Sequence, residues 1–121
     1  MERNLIPIVS NGLWIAYLKA TIPTNMLFPN AKLIAKELIS SLRFPKQPLS
    51  LTDEERNANY SSMQRATRLG NAEHGKCRIV FEDDEGMKAV ETTIWTFDPD
   101  NIVLKYGMSI PIARVLSVYI P

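Results

Sequence analysis

Residues 76–120, with the sequence KCRIVFEDDEGMKAVETTIWTFDPDNIVLKYGMSIPIARVLSVYI, decide the fold that this chain predicts. Residues 77–81 are rich in β-branched and aromatic side chains, which favour strands. The acidic turn after them contains Gly86, because a tight turn often needs a residue that tolerates a positive φ. Residues 88–97 then alternate in the way that a half-buried strand requires. The segment therefore begins with two predicted strands joined by a tight turn.

The rest of the segment predicts further short strands. Residues 98–101, Asp-Pro-Asp-Asn, have the composition of a β-turn. Residues 102–106 follow as a third strand that a glycine closes, and residues 109–113 and 115–120 supply one or two more. Pro111 cannot donate a hydrogen bond to a neighbouring strand, so we expect it at a sheet edge or in a bend.

Helices are predicted in front of these strands. The first would use Ser10 or Asn11 as its N-cap and would end before Pro23. The second would begin at Asn30 and bury an apolar stripe that runs through residues 31–42. Both helices belong to a front half that is poor in strand patterns.

A third helix begins with a capping box. The Thr52 side chain can accept a hydrogen bond from the Glu55 amide, and the Glu55 side chain can reach back to Thr52. The helix is predicted to run to Leu69, with Gly70 as its C-terminal stop. Most of its surface is free for water or a partner, because its apolar stripe holds only Tyr60, Met63, Ala66 and Leu69.

The order of the predicted C-terminal strands resembles the five-stranded small barrels of the SH3-like and Sm-like type. Residues 104–115, LKYGMSIPIARV, are similar to the closing strand pair of such barrels. The resemblance implies an antiparallel barrel in the C-terminal part of the chain. Sm-like proteins bind RNA and often form rings, but their RNA-contacting loop residues have no counterpart in this sequence. That function is therefore not carried over.

We predict a single α+β domain over residues 1–121. Residues 1–51 form a helical front and residues 52–70 the third helix. Residues 76–120 form a five-stranded antiparallel SH3-like or Sm-like small barrel, with the third helix across an open end. The predicted core consists of Ile34, Leu38, Leu42, Met63, Val80, Val90, Ile94, Ile102, Leu104, Ile112, Leu116 and Val118.

Composition excludes several classes of protein. With 14 basic and 13 acidic residues the net charge is +1, which gives no overall attraction to nucleic acid or to an anionic membrane. One cysteine cannot form a disulfide within the chain, and this favours a cytoplasmic location. No apolar run approaches the roughly 20 residues of a membrane span. We expect the apolar residues 5–18 to form core rather than a signal peptide.

Few residues suit catalysis. His74 is the only histidine, and it lies three residues before Cys77. A semi-buried thiol with a solvent-facing imidazole is favoured over a catalytic pair. The carboxylates of residues 82–85 are interpreted as a solvated turn, with a divalent-cation site as the competing hypothesis. We therefore predict no catalytic residue, no metal, no cofactor and no small-molecule substrate, and not an enzyme.

One cluster has the composition of a binding surface. A basic patch where the third helix meets the barrel would suit nucleic acid or an acidic partner, with a solvated helical face as the competing interpretation. Its members are Arg65, Arg68, Lys76 and Arg78. Trp95 is predicted to lie in the core if the helices cover its face of the strand, and to mark an interface otherwise.

Two function classes remain open at this point. We predict a non-enzymatic protein–protein interaction module, with self-association into a homo-oligomer as one form of it. The alternative is a nucleic-acid-binding accessory protein that uses the basic patch.

Overall fold

The computed structural model describes Leu18 and residues 21–121 of the chain. The predicted first helix, including Trp14, lies outside the described residues except for Leu18. The described α-helices are α1, Thr24–Leu27, and α2, Asp53–Glu73. The strands are β1 Lys32–Leu33, β2 Cys77–Asp83, β3 Gly86–Thr92, β4 Ile94–Phe97, β5 Asn101–Leu104, β6 Ser109–Pro111 and β7 Val115–Tyr119. Three short 3-10 helices complete the order: Lys36–Ser41, Lys105–Gly107 and Ile112–Arg114.

The strands form two sheets. The four-stranded sheet has the order β1-β3-β2-β7, and the three-stranded sheet has the order β4-β5-β6. The predicted α+β class is confirmed, whereas the strands are arranged in two sheets and do not show a closed five-stranded barrel. The predicted strand 88–97 is divided at Thr93, so that β3 belongs to one sheet and β4 to the other. Pro111 lies in the outer strand β6, as predicted.

The predicted capping box of α2 is confirmed. The Thr52 amide donates to Glu55 Oε1 at 2.9 Å, and the Glu55 amide donates to Thr52 Oγ1 at 3.1 Å. These two bonds satisfy N–H groups that no helical carbonyl can reach. Three acidic residues in the first turn also complement the positive end of the helix dipole.

The predicted end of α2 at Gly70 is wrong. The helix continues to Glu73 and ends at His74, which adopts the left-handed conformation with φ 56°. The His74 amide then donates to the Gly70 carbonyl, which is the single bond of an αL C-terminal motif, and the Gly75 amide donates to the Leu69 carbonyl. A histidine thus occupies a place where glycine is usual, and a pattern search for glycine stops the helix one turn too early.

Gly70 has a different role, because it allows α2 to lie directly against the division between β3 and β4. A β-carbon added at Gly70 would lie 2.7 Å from the Ile94 carbonyl oxygen and 2.7 Å from Thr93 Cγ2. Thr93 Oγ1 also donates to the Gly75 carbonyl at 3.2 Å. The end of the helix is therefore fixed to the bend of the sheet by a backbone approach that only glycine permits.

The second predicted helix, from Asn30 through residues 31–42, is also wrong. Lys32 and Leu33 instead pair in parallel with Lys88 and Ala89 of β3, and the Ile34 amide donates to the Ala89 carbonyl at 2.9 Å. These bonds satisfy the edge of β3 that would otherwise be open. The pairing with β3 outweighs the local preference of the segment for a helix. Only residues Lys36–Ser41 coil, and they do so as a 3-10 helix.

The core lies between the two sheets and α2. Met63, Val80, Val90, Ile94, Ile102, Leu104 and Val118 are buried as predicted. Ile34, Leu42 and Ile112 pack on the core while half-buried, and Leu116 is also half-buried. Leu38 is exposed and Ile39 is buried in its place, because a 3-10 helix has three residues per turn and turns a different side chain inward. The large buried side chains that were not predicted are Ile39, Ile79, Phe81, Ile110 and Val115.

Replacing Gly70 with alanine tests the close approach of α2 to the bend. Glycine to alanine inside a helix ordinarily stabilises a protein by about 1 kcal/mol. Here we expect Gly70→Ala to lower the free energy of unfolding by about 1–3 kcal/mol, because the new methyl group collides with backbone. Urea unfolding measures the change. The control is Asn71→Ala at the next, exposed position, which we expect to be neutral or stabilising. A Gly70→Ala protein as stable as this control would contradict the contact.

Candidate functional site

The structure places the four residues of the predicted basic patch on two elements, two on α2 and two at the start of β2. Arg65 and Arg68 are exposed on α2, where an Arg65 Nη donates to Ser62 Oγ at 3.4 Å. Arg78 lies opposite Glu91 in the β2–β3 ladder and forms an ion pair with it at 2.7 Å. Lys76 alone lines a depression, and neither helix arginine does so. The binding role predicted for these four residues stays a prediction.

Lys76 belongs to a surface that we call the basic–aromatic depression. It is about 260 Å³ in volume and is lined by Lys36, His74, Lys76, Thr92, Thr93, Trp95 and Lys105. Three of these seven residues are lysines and none is a carboxylate. Within the described chain, no ion pair joins any of the three lysines to an acidic side chain. The depression therefore holds concentrated positive charge beside an aromatic ring.

The depression forms because separate elements meet at the bend. Cys77 pairs with Thr92, and Leu104 pairs with Ile94. Lys76 and Lys105 each lie one residue beyond these pairs, and so they flank Thr93 from the two sheets. Lys36 arrives from the segment that follows β1, and His74 from the end of α2. The sequence alone does not predict that these residues lie together, because that prediction requires knowing that the strand is divided at Thr93.

Trp95 is exposed to 49%, so it does not lie in the core, and the alternative, that it marks an interface, stays a prediction. The β4–β5 register shifts between Ile94 and Thr96, which makes Trp95 the extra residue of a β-bulge. A bulge re-aims side chains at the point where it interrupts the ladder. Ile94 faces the core and is fully buried, and Trp95 is turned out into the depression.

A second exposed aromatic ring lies beside the depression. Tyr106 is exposed to 78% and adopts φ 66°, a conformation that costs a residue with a β-carbon free energy. Lys105 Nζ lies 5.4 Å from the centre of the Tyr106 ring, within the range of a cation–π contact. The β5–β6 connection thus presents a cation and an aromatic ring together.

A larger surface, which we call the apolar groove, lies on another side of α2. It has a volume of about 680 Å³. Its apolar lining comes from Pro48, Leu49, Leu51, Tyr60, Met63, Phe97, Pro99, Ile112 and Ala113, and its polar lining from Arg56, Asn57, Asn59 and Asp98. The rings of Tyr60 and Phe97 meet edge to face, with centres 5.5 Å apart and an angle of 90°. Tyr60 remains exposed to 51%, so an apolar occupant of the groove would contact it.

Hydrogen bonds fix the walls of the groove. Asn59 is buried in α2 and its amide group donates to the carbonyls of Val115 and Leu116 at 3.4 and 3.3 Å. The Leu49 amide donates to the Ala113 carbonyl at 2.9 Å, which holds the linker before α2 against the last 3-10 helix. The helix, the linker and the end of the sheet are therefore joined directly around the groove.

Arg114 also holds the linker in place, and this role of Arg114 was not predicted from the sequence. Its buried guanidinium donates to the Glu82 carbonyl at 3.0 Å and to the Gln47 carbonyl at 2.7 Å. A Glu82 carboxylate oxygen lies 3.5 Å from the same group. Arg114 supplies the donors that two otherwise distant carbonyls need, and this explains why a charged residue is buried.

The acidic turn contains a buried ion pair. Asp83 and Lys88 are both buried and their charged groups are in direct contact, while Lys88 Nζ also reaches Glu85 at 2.9 Å. Asp83 Oδ1 further accepts the Glu85 and Gly86 amides at 2.8 and 3.1 Å. The interpretation as a solvated turn is therefore wrong at Asp83. The carboxylates of Asp83 and Glu85 both bind the Lys88 ammonium group.

The pair shifts the pKa of both partners. Burial opposes ionisation of Asp83, but the bonds from Lys88 and from the Glu85 and Gly86 amides outweigh it and hold the pKa below its ordinary value of 3.8. The hydrogen bonds to Asp83 and Glu85 raise the pKa of Lys88 above its ordinary value of 10.5 despite burial. The folded protein therefore favours the charged form of each group.

The environment of Cys77 does not favour a reactive thiol. Burial raises the pKa of the Cys77 thiol to about 12, so the nucleophilic thiolate is scarce at neutral pH. His74 is exposed, whereas Cys77 is buried at the start of β2. In the described part of the chain, no group of three or more His, Cys, Asp or Glu side chains has the arrangement of a metal site.

Comparison with protein-family models, with curated proteins and with solved structures found no match. The geometry of the chain itself therefore carries the functional argument. Among the residues that the structure describes, no helix combines the length and the apolar character that crossing a bilayer requires.

The buried ion pair generates a prediction about pH. Asp83→Asn keeps an oxygen for the turn amides but leaves the Lys88 charge poorly compensated, and we expect it to lower the free energy of unfolding by about 3 kcal/mol at pH 7. Because the Asp83 pKa is lowered on folding, its contribution is complete above about pH 4 and is lost as the pH falls through the folded pKa. The Lys88 contribution is complete below its unfolded pKa and is lost only as the pH rises through the higher folded pKa.

Urea unfolding from acid to mildly alkaline pH tests this prediction. The gap between wild type and Asp83→Asn should stay constant through the neutral range and narrow as the pH falls below about 4. Asp84→Asn at the exposed neighbouring position is the matched control and should have little effect. No gap at neutral pH, or a gap that persists unchanged into strong acid, would show that the pair does not stabilise the fold.

Proposed function

We propose that this protein is a non-enzymatic protein–protein interaction module whose apolar groove receives an extended segment of a partner protein. The observation that carries the proposal is a groove of about 680 Å³ with mostly apolar walls and an exposed tyrosine. Hydrophobic grooves lined by aromatic residues are a recurring form of peptide-binding site. The direct bonds of Asn59 to β7 and of Leu49 to the last 3-10 helix support a preformed site.

We also propose an SH3-like small-barrel topology for residues 76–120. Three features support it. A bent strand passes from one sheet to the other at Thr93, strand β2 pairs with both β3 and β7, and a 3-10 helix precedes β7. In barrel-like packings of two sheets, strands pass from one sheet to the other at bends or bulges. We propose a cytoplasmic location for the domain, which its single cysteine favours.

The lining of the groove indicates the chemistry of the segment. Tyr60 and Phe97 present perpendicular ring faces, with Pro48 and Pro99 nearby. Grooves lined by aromatic residues suit proline or aliphatic side chains on an extended backbone, which loses little conformational entropy on binding. The charged residues of the lining have opposite signs, so Asp98 would favour a basic residue of the segment and Arg56 an acidic one.

Self-association is a second form of the same proposal. A homo-oligomer would place an apolar segment of one copy in the groove of the next. The exposed Met26 and Leu33 are apolar side chains of the described chain that such a contact could cover. Light scattering at high micromolar concentration separates the two forms, because a monomer leaves only the heterologous partner.

A peptide-selection experiment tests the groove. We expect a displayed library of random peptides, selected on the wild-type protein, to yield sequences that share proline or aliphatic residues beside a charged residue. Tyr60→Ala should weaken the selected peptides about tenfold or more, since a central aromatic contact commonly contributes that much. Fluorescence anisotropy with the synthetic peptides gives the affinities.

Leu38→Ala is the matched control, because Leu38 is exposed to the same 51% as Tyr60 and does not line the groove. It should leave peptide affinity unchanged. Unfolding curves of both variants confirm that each is folded. Failure to enrich any shared sequence, or peptides that bind wild type and Tyr60→Ala equally, would overturn the proposal.

A further inference from the structure

We infer that the basic–aromatic depression is a nucleotide-binding site, in which a planar base stacks on Trp95 and its phosphate is held by Lys36, Lys76 and Lys105. The site is separate from the apolar groove, with which it shares no lining residue. Nothing in the interaction-module proposal requires it. The inference therefore concerns a second ligand, of a different chemical class.

The first argument is electrostatic. Three lysines approach one depression from three different parts of the chain, and no carboxylate lines it. None of the three lysines has an acidic ion-pair partner in the described chain, so an anion that enters the depression meets uncompensated positive charge. The uncompensated lysines therefore point to an anionic ligand.

The second argument concerns the rings. A simple inorganic anion would not need an aromatic side chain, yet the β-bulge turns Trp95 into the depression and leaves it half exposed. Stacking of a base on an aromatic ring is a strong contribution to the binding of nucleotides and tolerates every base. A ligand with both a planar ring and a phosphate uses both features of the site.

The third argument is the conformation of Tyr106. The residue holds its exposed ring beside Lys105 in a left-handed backbone conformation, although asparagine or glycine would fit that turn with less strain. Strained residues commonly occur at binding sites, where the surrounding structure maintains them. Tyr106 and Lys105 extend the basic and aromatic surface beyond the depression, toward a second stacking position.

A nucleotide can be supplied free or as part of a single strand, and the experiment separates these sources. Calorimetry measures binding of free AMP and ATP. Fluorescence anisotropy measures labelled single-stranded DNA and RNA of 4, 8 and 12 nucleotides at low and physiological salt, with a duplex of equal length for comparison. Affinity that rises with strand length identifies a strand ligand, and tight binding of ATP alone identifies a free nucleotide.

Variants assign any binding to the depression. We expect Trp95→Ala to weaken the bound nucleotide ligand about tenfold and Lys76→Gln or Lys105→Gln to weaken it severalfold. For a strand, each lysine change should also reduce the dependence of log affinity on log salt by about one unit. Lys46→Gln is the matched control, because Lys46 is an exposed lysine of the linker that does not line the depression.

Tyr106→Asn distinguishes loss of binding from loss of folding. Asparagine tolerates the left-handed conformation, so this variant should unfold at a temperature about 3 °C higher while it binds more weakly. The inference is overturned by absence of binding to every nucleotide probe at low salt. It is equally overturned if Lys46→Gln weakens binding as much as Lys76→Gln and Trp95→Ala has no effect, since that result describes general attraction between charges.

Discussion

The close approach of α2 to the bend at Thr93 is the constraint on which the rest of the structure depends. Gly70 has no side chain, and the helix backbone therefore comes so near to the sheet that any β-carbon would meet the Ile94 carbonyl and the Thr93 methyl group. The bend is also where β3 leaves the four-stranded sheet and β4 enters the three-stranded one. One contact thus fixes the helix relative to both sheets, and the core closes around Met63 and Ala66 on the same side of α2.

The two candidate surfaces follow from this placement. They share strand β4, whose bulged residue Trp95 is turned toward the C-terminal end of α2, while its last residue Phe97 meets Tyr60 nearer the middle of the helix. A shift of the helix along the sheet would alter the basic–aromatic depression and the apolar groove together. The depression is also bounded by His74, whose left-handed cap ends the helix beside the bend. The packing of α2 therefore contributes to both surfaces, through its middle turns in the apolar groove and through His74 in the depression.

Local chemistry was predictable from the sequence, and long-range competition was not. The capping box at Thr52, the turn at Gly86 and the edge position of Pro111 are confirmed because each depends on a few neighbouring residues. The helix predicted over residues 31–42 fails because β3 offers its open edge to Lys32 and Leu33, which no local pattern records. Trp95 was misplaced because a register shift with β5 decides where it points. Of the predicted site residues, only Lys76 lines the depression. The other two lysines of the lining, Lys36 and Lys105, were not predicted because they lie in segments that are distant along the chain.

A double-mutant cycle between Gly70→Ala and Thr93→Ser tests the helix–bend contact most directly. Serine lacks the methyl group that a β-carbon at position 70 would strike, and it keeps the hydroxyl that donates to the Gly75 carbonyl. We predict that Gly70→Ala destabilises the Thr93→Ser protein less than it destabilises wild type, by about 1 kcal/mol in urea unfolding. If Gly70→Ala is as stable as wild type in both backgrounds, α2 and the bend are not in contact at Gly70, and the common origin of the two surfaces is contradicted.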